Sequence, residues 1–181
     1  VKIRLTISYK ENMYMAKKSK IKYYIPGAIA LLFGIAAFCM MFLDAVSYVG
    51  KIGGSTISVS GMDLAFGSKN TDIPGVTIEV LQFNIMVTLA YVLPLLGGII
   101  SLITGKSFIG KIIATACFVV GAVFLFSTTG FTAISFGSDT KDAILLLFNE
   151  KLAIGSIIGG VLAIIGAVVS FFKGSIAKMI N

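Results

Sequence analysis

Four long runs of apolar residues dominate the pattern of hydrophobic and polar positions along the chain. The runs cover 23–43, 85–103, 112–131 and 152–172, and none contains a charged residue. A helix needs about 20 apolar residues to cross a hydrocarbon core of roughly 30 Å, and each run has that length. No run carries a polar stripe at the helical period of about 3.6 residues, as expected for helices that face lipid. The sequence therefore predicts an all-α membrane protein, a four-transmembrane-helix bundle.

Polar segments flank and connect these runs. A basic tail over 1–22 precedes the first run and a tail over 173–181 follows the fourth, while 44–84, 104–111 and 132–151 are the connections. Residues 1–14 differ in character from the rest, and Met15 would make a natural start. We therefore interpret 1–14 as a non-native extension without a structural role. The first run exceeds the roughly 7–15 apolar residues of a removed signal sequence, which favours an uncleaved span.

Charged residues are sorted by segment. The two tails and the short 104–111 turn hold eleven of the fifteen Lys and Arg residues and one acid, a net charge of +10. The two longer connections hold four lysines and seven acids, a net charge of −3. Short cytoplasmic segments of membrane proteins collect Lys and Arg. We therefore expect a multi-pass protein of the plasma membrane with both termini in the cytoplasm and the two longer connections outside.

Composition excludes several classes of protein. Apolar residues make up 57% of the chain and charged residues 13%, whereas soluble domains average about 45–50% and about 25%. The absence of His removes the commonest general base and metal ligand. Cys39 and Cys117 lie inside apolar runs, where small packing residues are the simplest interpretation. We expect no enzymatic activity, no cofactor and no metal, and without a basic stripe we expect no nucleic-acid partner.

The first external connection has the alternation of β-strands. Residues 55–60 and 76–81 alternate polar and apolar side chains, and glycines and a Pro-Gly pair separate them. We expect a small extracellular β-hairpin or sheet that caps the bundle. Two strands alone are marginally stable, so we expect a third strand over 132–136 from the second external connection. Residues 140–148 have a helical pattern.

The two external connections share a short motif. One copy ends in Phe66, Gly67 and Ser68, and the other ends in Phe136, Gly137 and Ser138. Two interpretations stay open. The halves of the chain arose by duplication of a span–loop–span unit, or Phe-Gly-Ser simply suits a strand end that enters a turn.

Small residues recur at every fourth position on two of the spans. They are Gly155, Gly159, Ala163 and Ala167 on the fourth span, and Gly97, Ser101 and Gly105 on the second. Such faces let helix backbones approach closely. Packing within the bundle is the favoured interpretation, and contact with a second copy or another membrane protein is the alternative. Pro94 interrupts the second span, where it predicts a kink.

Function is constrained mainly by the residues that the spans lack. Without charged residues in the spans, a proton- or ion-coupled carrier is not expected. Four spans with a larger, β-forming first loop resemble the claudin-like tetraspan layout. That family's Gly-Leu-Trp motif and paired loop cysteines are missing, so the resemblance is architectural and carries no function.

We expect a non-enzymatic accessory or scaffolding subunit. It would act through its external loops or small-residue helix faces, with the lipid bilayer and another membrane protein or a second copy as partners. The alternative is an oligomeric small channel or permease component, and a membrane-embedded enzyme ranks third.

Overall fold

A computed structural model describes residues 24–73, 76–105 and 107–179, without the side chains of 69–80. The tail over 1–22, with the extension over 1–14, lies outside the described residues. The helices are α1 (Tyr24–Phe42), α2 (Gly61–Phe66), α3 (Ile85–Ile103), α4 (Phe108–Phe126), α5 (Thr128–Phe136), α6 (Ser138–Leu147), α7 (Ile154–Phe171) and α8 (Lys173–Met179). The strands are β1 (Asp44–Gly50), β2 (Thr56–Ser60), β3 (Ser68–Ile73), β4 (Val76–Leu81) and β5 (Phe148–Leu152).

Four helices, α1, α3, α4 and α7, are long and apolar enough to cross a membrane. Each has 18 or 19 residues and a mean hydropathy of 2.2 or 2.3. The predicted multi-pass membrane protein with four apolar helices is confirmed at this level. The bundle has two ends. The cap (residues 43–73, 76–84 and 127–153) lies at one end, and the connection between α3 and α4 lies with α8 at the other, which we call the turn end.

The third spanning helix is displaced from the predicted run over 112–131. Helix α4 begins at Phe108 because the Ser107 hydroxyl accepts a hydrogen bond from the Gly110 amide (3.4 Å). It ends at Phe126, and the chain turns at Ser127 before α5 begins. The Thr128 hydroxyl donates to the carbonyl of Leu125 (2.8 Å), which satisfies a free carbonyl of the last turn of α4. The apolar run therefore contains two helices.

Helix packing depends on glycines that let backbones touch. A Cβ atom added to Gly34 of α1 would lie 2.6 Å from the carbonyl oxygen of Pro94 in α3. A Cβ atom added to Gly97 of α3 would lie 2.9 Å from the carbonyl oxygen of Ala114 in α4. Both distances are shorter than real Cβ contacts, so these helices approach more closely than any other residue would allow. Lipid removes the hydrophobic drive between helices, and such close contact supplies the attraction.

The centre of the bundle is filled by side chains from α3 and α4. Phe118 of α4 is fully buried between Gly97 of α3 and Gly166 of α7. Pro94 lies inside α3, with its ring against Gly121 of α4. The kink expected at Pro94 stays a prediction.

The cap contains a three-stranded antiparallel sheet in the order β2-β1-β5. A single residue separates the end of α1 from β1, and a single residue separates the end of β5 from α7. Their pairing therefore joins the first connection to the second. Backbone hydrogen bonds from Ala153 to Ala45 (3.0 Å) and from Lys51 to Leu147 (2.9 Å) extend this pairing at both ends.

The third strand is not where the sequence predicted it. Residues 132–136 belong to α5, and β5 takes the third position in the sheet. The strand prediction over 132–136 is wrong because Thr132 and Ser135, three residues apart, are buried on one face of a helix. The two alternating stretches of the first connection are strands β2 and β4, but β4 pairs with β3 in a separate hairpin.

The contact between α7 and the end of α1 gives a test of the packing. A Cβ atom added to Gly155 would lie 2.7 Å from the Asp44 carbonyl oxygen and 2.8 Å from that of Met40. We expect Gly155→Ala to force the backbones apart, at a cost of about 1–3 kcal/mol. The thermal unfolding midpoint in detergent should fall by several degrees.

Gly159 supplies the matched control for this experiment. It lies one turn further along α7, where an added Cβ would meet its nearest neighbours at an ordinary 3.4 Å. Gly159→Ala should leave the midpoint close to that of the natural chain. Equal midpoints for both variants would contradict the proposed tight contact at Gly155.

Candidate interaction surface and the contacts that support it

Glu150 of β5 connects four elements of the cap. The Tyr48 hydroxyl of β1 donates to its Oε1 atom (2.8 Å), and so does the Thr132 hydroxyl of α5 (2.6 Å). The Lys141 ammonium of α6 lies 3.3 Å from its Oε2 atom and also donates to the Thr129 carbonyl (2.6 Å). Both carboxylate oxygens are therefore engaged, and the residue fixes the second connection on the sheet.

The environment of Glu150 is largely closed to water. The side chains of Glu150 and Lys141 are 9% and 14% exposed. Burial raises the pKa of the Tyr48 hydroxyl above its ordinary value, and the hydrogen bond to Glu150 raises it further. Tyr48 thus remains a protonated donor at neutral pH. A carboxylate held by three donors therefore connects the elements that supply those donors.

Asn84 connects the start of α3 to α5. Its side chain is fully buried. The Oδ1 atom accepts from the Met86 (3.1 Å) and Val87 (3.3 Å) amides and so caps α3. The Nδ2 atom donates to the Phe131 carbonyl (2.7 Å) and to the Ser135 hydroxyl (2.9 Å). Sequence reasoning missed this residue, although an Asn directly before an apolar run is a recognisable helix cap.

The two Phe-Gly-Ser motifs have the same local backbone. Gly67 has φ 84° and ψ 162°, and Gly137 has φ 81° and ψ 147°. This region of backbone space is accessible essentially to glycine alone. In both connections the preceding Phe is the last residue of a helix, α2 or α5. The interpretation of the motif as a strand end is therefore wrong, because it ends a helix.

The residues beyond these glycines differ between the two copies. Ser68 begins strand β3, whereas Ser138 begins helix α6. The exposed ring of Phe66 lies 6.4 Å from the ring of Phe83, while Phe136 packs edge-on against Tyr48 at 5.8 Å. The likeness between the connections is thus confined to a helix end and one glycine, and duplication stays a prediction.

The small-residue positions of the spans face the inside of the bundle. The buried members are Gly97, Ser101, Gly155, Gly159, Ala163 and Ala167. Gly105 lies beyond the end of α3, where an added Cβ would meet nothing within 4 Å. The Ser101 hydroxyl and carbonyl accept hydrogen bonds from Ser170 (3.3 Å) and from the ammonium of Lys173. These faces are occupied by contacts within the chain.

Polar groups inside the bundle are paired with one another. Near the cap, the Ser156 hydroxyl of α7 lies 3.4 Å from the Tyr91 hydroxyl of α3 and 3.4 Å from the Thr128 hydroxyl of α5. Within the described residues, every buried side-chain nitrogen or oxygen has a hydrogen-bond partner. The same part of the chain contains no group of three His, Cys, Asp or Glu residues that could hold a metal ion. These contacts hold helices together.

An apolar tip stands at the far end of the sheet. Ile52, in the turn between β1 and β2, is 91% exposed, and Leu146 and Leu147 at the end of α6 are 76% and 64% exposed. We call residues 51–54 and 145–147 the tip. Lys51 joins its two parts, because its amide donates to the Leu147 carbonyl (2.9 Å) and its ammonium to the Leu145 carbonyl (2.6 Å).

The tip lies away from the spans. In the sheet, Gly50 pairs with Phe148 and Val46 pairs with Leu152, which adjoins the start of α7. Four residues of strand separate these pairs, or about 13 Å at roughly 3.3 Å per residue. Three large apolar side chains are thus exposed at the end of the strands furthest from the spanning helices.

Strand β2 is an unprotected edge of the same sheet. Among the described residues no strand pairs with its outer side. It contains no Lys or Pro, the residues that commonly block edge strands. Gly50 donates to the Ser55 carbonyl (2.7 Å), so by alternation the backbone groups of Thr56 and Ser58 point away from β1. An extended segment of another chain could add there as a further strand.

Four membrane-length apolar helices with a folded cap at one end define the chain as a multi-pass membrane protein. No protein-family model matches the chain, and no curated protein matches its sequence.

Removal of the Glu150 carboxylate tests whether it holds the elements of the cap together. Glu150→Ala leaves the Lys141 ammonium largely buried without its counter-charge. The free energy of unfolding should fall by about 3–5 kcal/mol. We expect a lower unfolding midpoint and faster proteolytic cleavage between α5 and β5. Asp142→Ala removes an acid from the exposed side of α6 and should change neither readout. If both variants had the same unfolding midpoint and the same cleavage rate, Glu150 would not hold the elements of the cap together.

Proposed function

We propose that this protein is a non-enzymatic accessory or scaffolding subunit of the plasma membrane that binds another membrane protein through its cap. The observation that carries this proposal is the apolar tip, with Ile52, Leu146 and Leu147 exposed at the end of the strands furthest from the spanning helices. Single exposed apolar residues are ordinary. Three exposed apolar side chains on adjoining segments, away from the spanning helices, form the kind of patch that proteins cover with a partner.

Charge supports an orientation with the cap outside the cell. Lys111, Lys173 and Lys178 lie at the turn end, whereas every acidic residue within the described ranges belongs to the cap. The positive-inside rule then favours cytoplasmic termini. Lys173 fits this arrangement, because its buried ammonium contacts the Ser101 carbonyl near the end of α3.

The packing of the bundle supports a scaffold over a channel. Phe118 is fully buried between α3 and α7, and we therefore expect a conducting path, if one exists, to run between copies. The small-residue faces are already used inside the chain, which leaves the cap as the better surface for a partner. Strand β2 offers a second element of the same surface, since strand addition supplies backbone hydrogen bonds and its half-exposed Ile57 supplies apolar contact.

Orientation can be tested with single engineered cysteines. In a background with Cys39→Ala and Cys117→Ala, Asp142→Cys should react with a membrane-impermeant maleimide on intact cells. Lys178→Cys should react only after the cells are permeabilised, since it lies at the turn end. The reverse pattern of labelling would place the cap inside and overturn the orientation.

The tip can be tested by charge substitution. Ile52→Asp combined with Leu146→Asp should reduce co-purification of a stoichiometric membrane partner at least tenfold, because buried carboxylates oppose an apolar contact. Thr140→Asp places a charge on an exposed position of α6 away from the tip and is the control. Undiminished co-purification of the partner would exclude the tip as its binding surface. Solute flux through liposomes containing only this protein would favour the channel alternative.

A further inference from the structure

A groove runs along the outside of the bundle between α4 and α7. Its volume is about 430 Å³, and its lining is almost wholly apolar. Val119 and Val123 of α4 and Val168 of α7 line it and are exposed to the surroundings. The one polar lining residue is Thr115, whose hydroxyl donates to the Lys111 carbonyl within its own helix (2.8 Å). Within a membrane span, such a groove faces hydrocarbon.

Small side chains create the depression. Ala122 of α4 and Ala167 of α7 are buried on the two facing helices, with Phe126 and Phe171 among the larger residues that line the same groove. On α4 the lining extends from Thr115 to Phe126. Eleven helical steps correspond to roughly 16 Å, close to half of a hydrocarbon core of about 30 Å. The groove therefore has a length close to the thickness of one leaflet, but on α4 it starts about two turns into the helix and continues past the midpoint to Phe126 at the cap end.

A fixed cation stands at the turn end of this groove. Lys111 lies one helical turn before Thr115 on the same face of α4. Its ammonium is 4.8 Å from the ring centre of Phe171, which lines the groove, and 5.5 Å from that of Phe108. All acidic residues of the described ranges lie at the opposite end, in the cap. The Lys111 ammonium is thus held beside the groove, where it can pair with an anion at the depth of the lipid headgroups.

We propose that the groove binds one acyl chain of an anionic phospholipid from the leaflet at the turn end, with the lipid phosphate at the Lys111 ammonium. The acyl chain fills a cleft that has no polar group to satisfy, and the ammonium supplies the charge that anionic headgroups seek between spanning helices. The proposal requires only that the four helices span a membrane, so it is independent of the cap's partner.

The lack of tryptophan in the chain gives a direct test. Phe172→Trp places a fluorophore in the groove in exchange for another aromatic ring, and Leu32→Trp places one at an exposed position of α1, outside the groove and about two helical turns from Tyr24 and the basic tail. Each variant is reconstituted into phosphatidylcholine vesicles. An equal fraction of brominated-chain phosphatidylglycerol or brominated-chain phosphatidylcholine is then added as the quencher.

We expect phosphatidylglycerol to associate with the groove about fivefold more strongly than phosphatidylcholine, the ratio expected for one lysine beside anionic lipid. Lys111→Gln in the Phe172→Trp background should abolish the preference, and Lys111→Arg should retain it. The Leu32→Trp reporter should show no preference. Equal quenching by both lipids, or a preference that survives Lys111→Gln, would overturn the proposal. Shielding of the groove reporter from both lipids would show that a protein segment covers the groove, and would overturn it equally.

Discussion

The contact of Gly155 with the backbone at the end of α1 sets the geometry of both the bundle and the cap. The start of α7 lies against the carbonyls of Met40, Leu43 and Asp44, where only a glycine fits without displacement. Strand β1 leaves α1 at this point, and β5 enters α7 at the same point. The helix contact therefore brings the two strands together, and their register follows from the spans beneath them.

Buried polar side chains hold the second connection on the sheet and on the start of α3. Glu150 and Asn84 both connect α5 to segments distant in sequence, the first to the sheet and the second to the start of α3. Each side chain satisfies several donors or acceptors, so their burial is compensated by hydrogen bonds. These two residues attach the second connection to the sheet on one side and to the start of α3 on the other. The tip is attached to the sheet in a similar way. Lys141 connects the first turn of α6 to Glu150, and the hydrogen bonds of Lys51 hold the last turn of α6.

Hydropathy predicted the four spanning helices because a long apolar run has few structures available in lipid. It could not separate α4 from α5, since the run has no charged residue through Phe131 and the break at Ser127 depends on hydroxyl bonds to carbonyls. Strand β5 was missed because Asn149, Glu150 and Lys151 look like a loop until β1 pairs with them. The tip and the groove arise from residues brought together by packing, so no local pattern predicts them. Lys111 carried a signal only for topology.

The central strand of the sheet has a consequence for biogenesis. Tyr48 of β1 and its partner Glu150 of β5 are 102 residues apart, and the fourth span follows β5 in the chain. A nascent polypeptide with three spanning helices inserted therefore presents one side of β1 unpaired until the second connection has been synthesised. Completion of the sheet comes just before insertion of α7, and an exposed β1 edge is a structural sign of a chain that has not reached this stage.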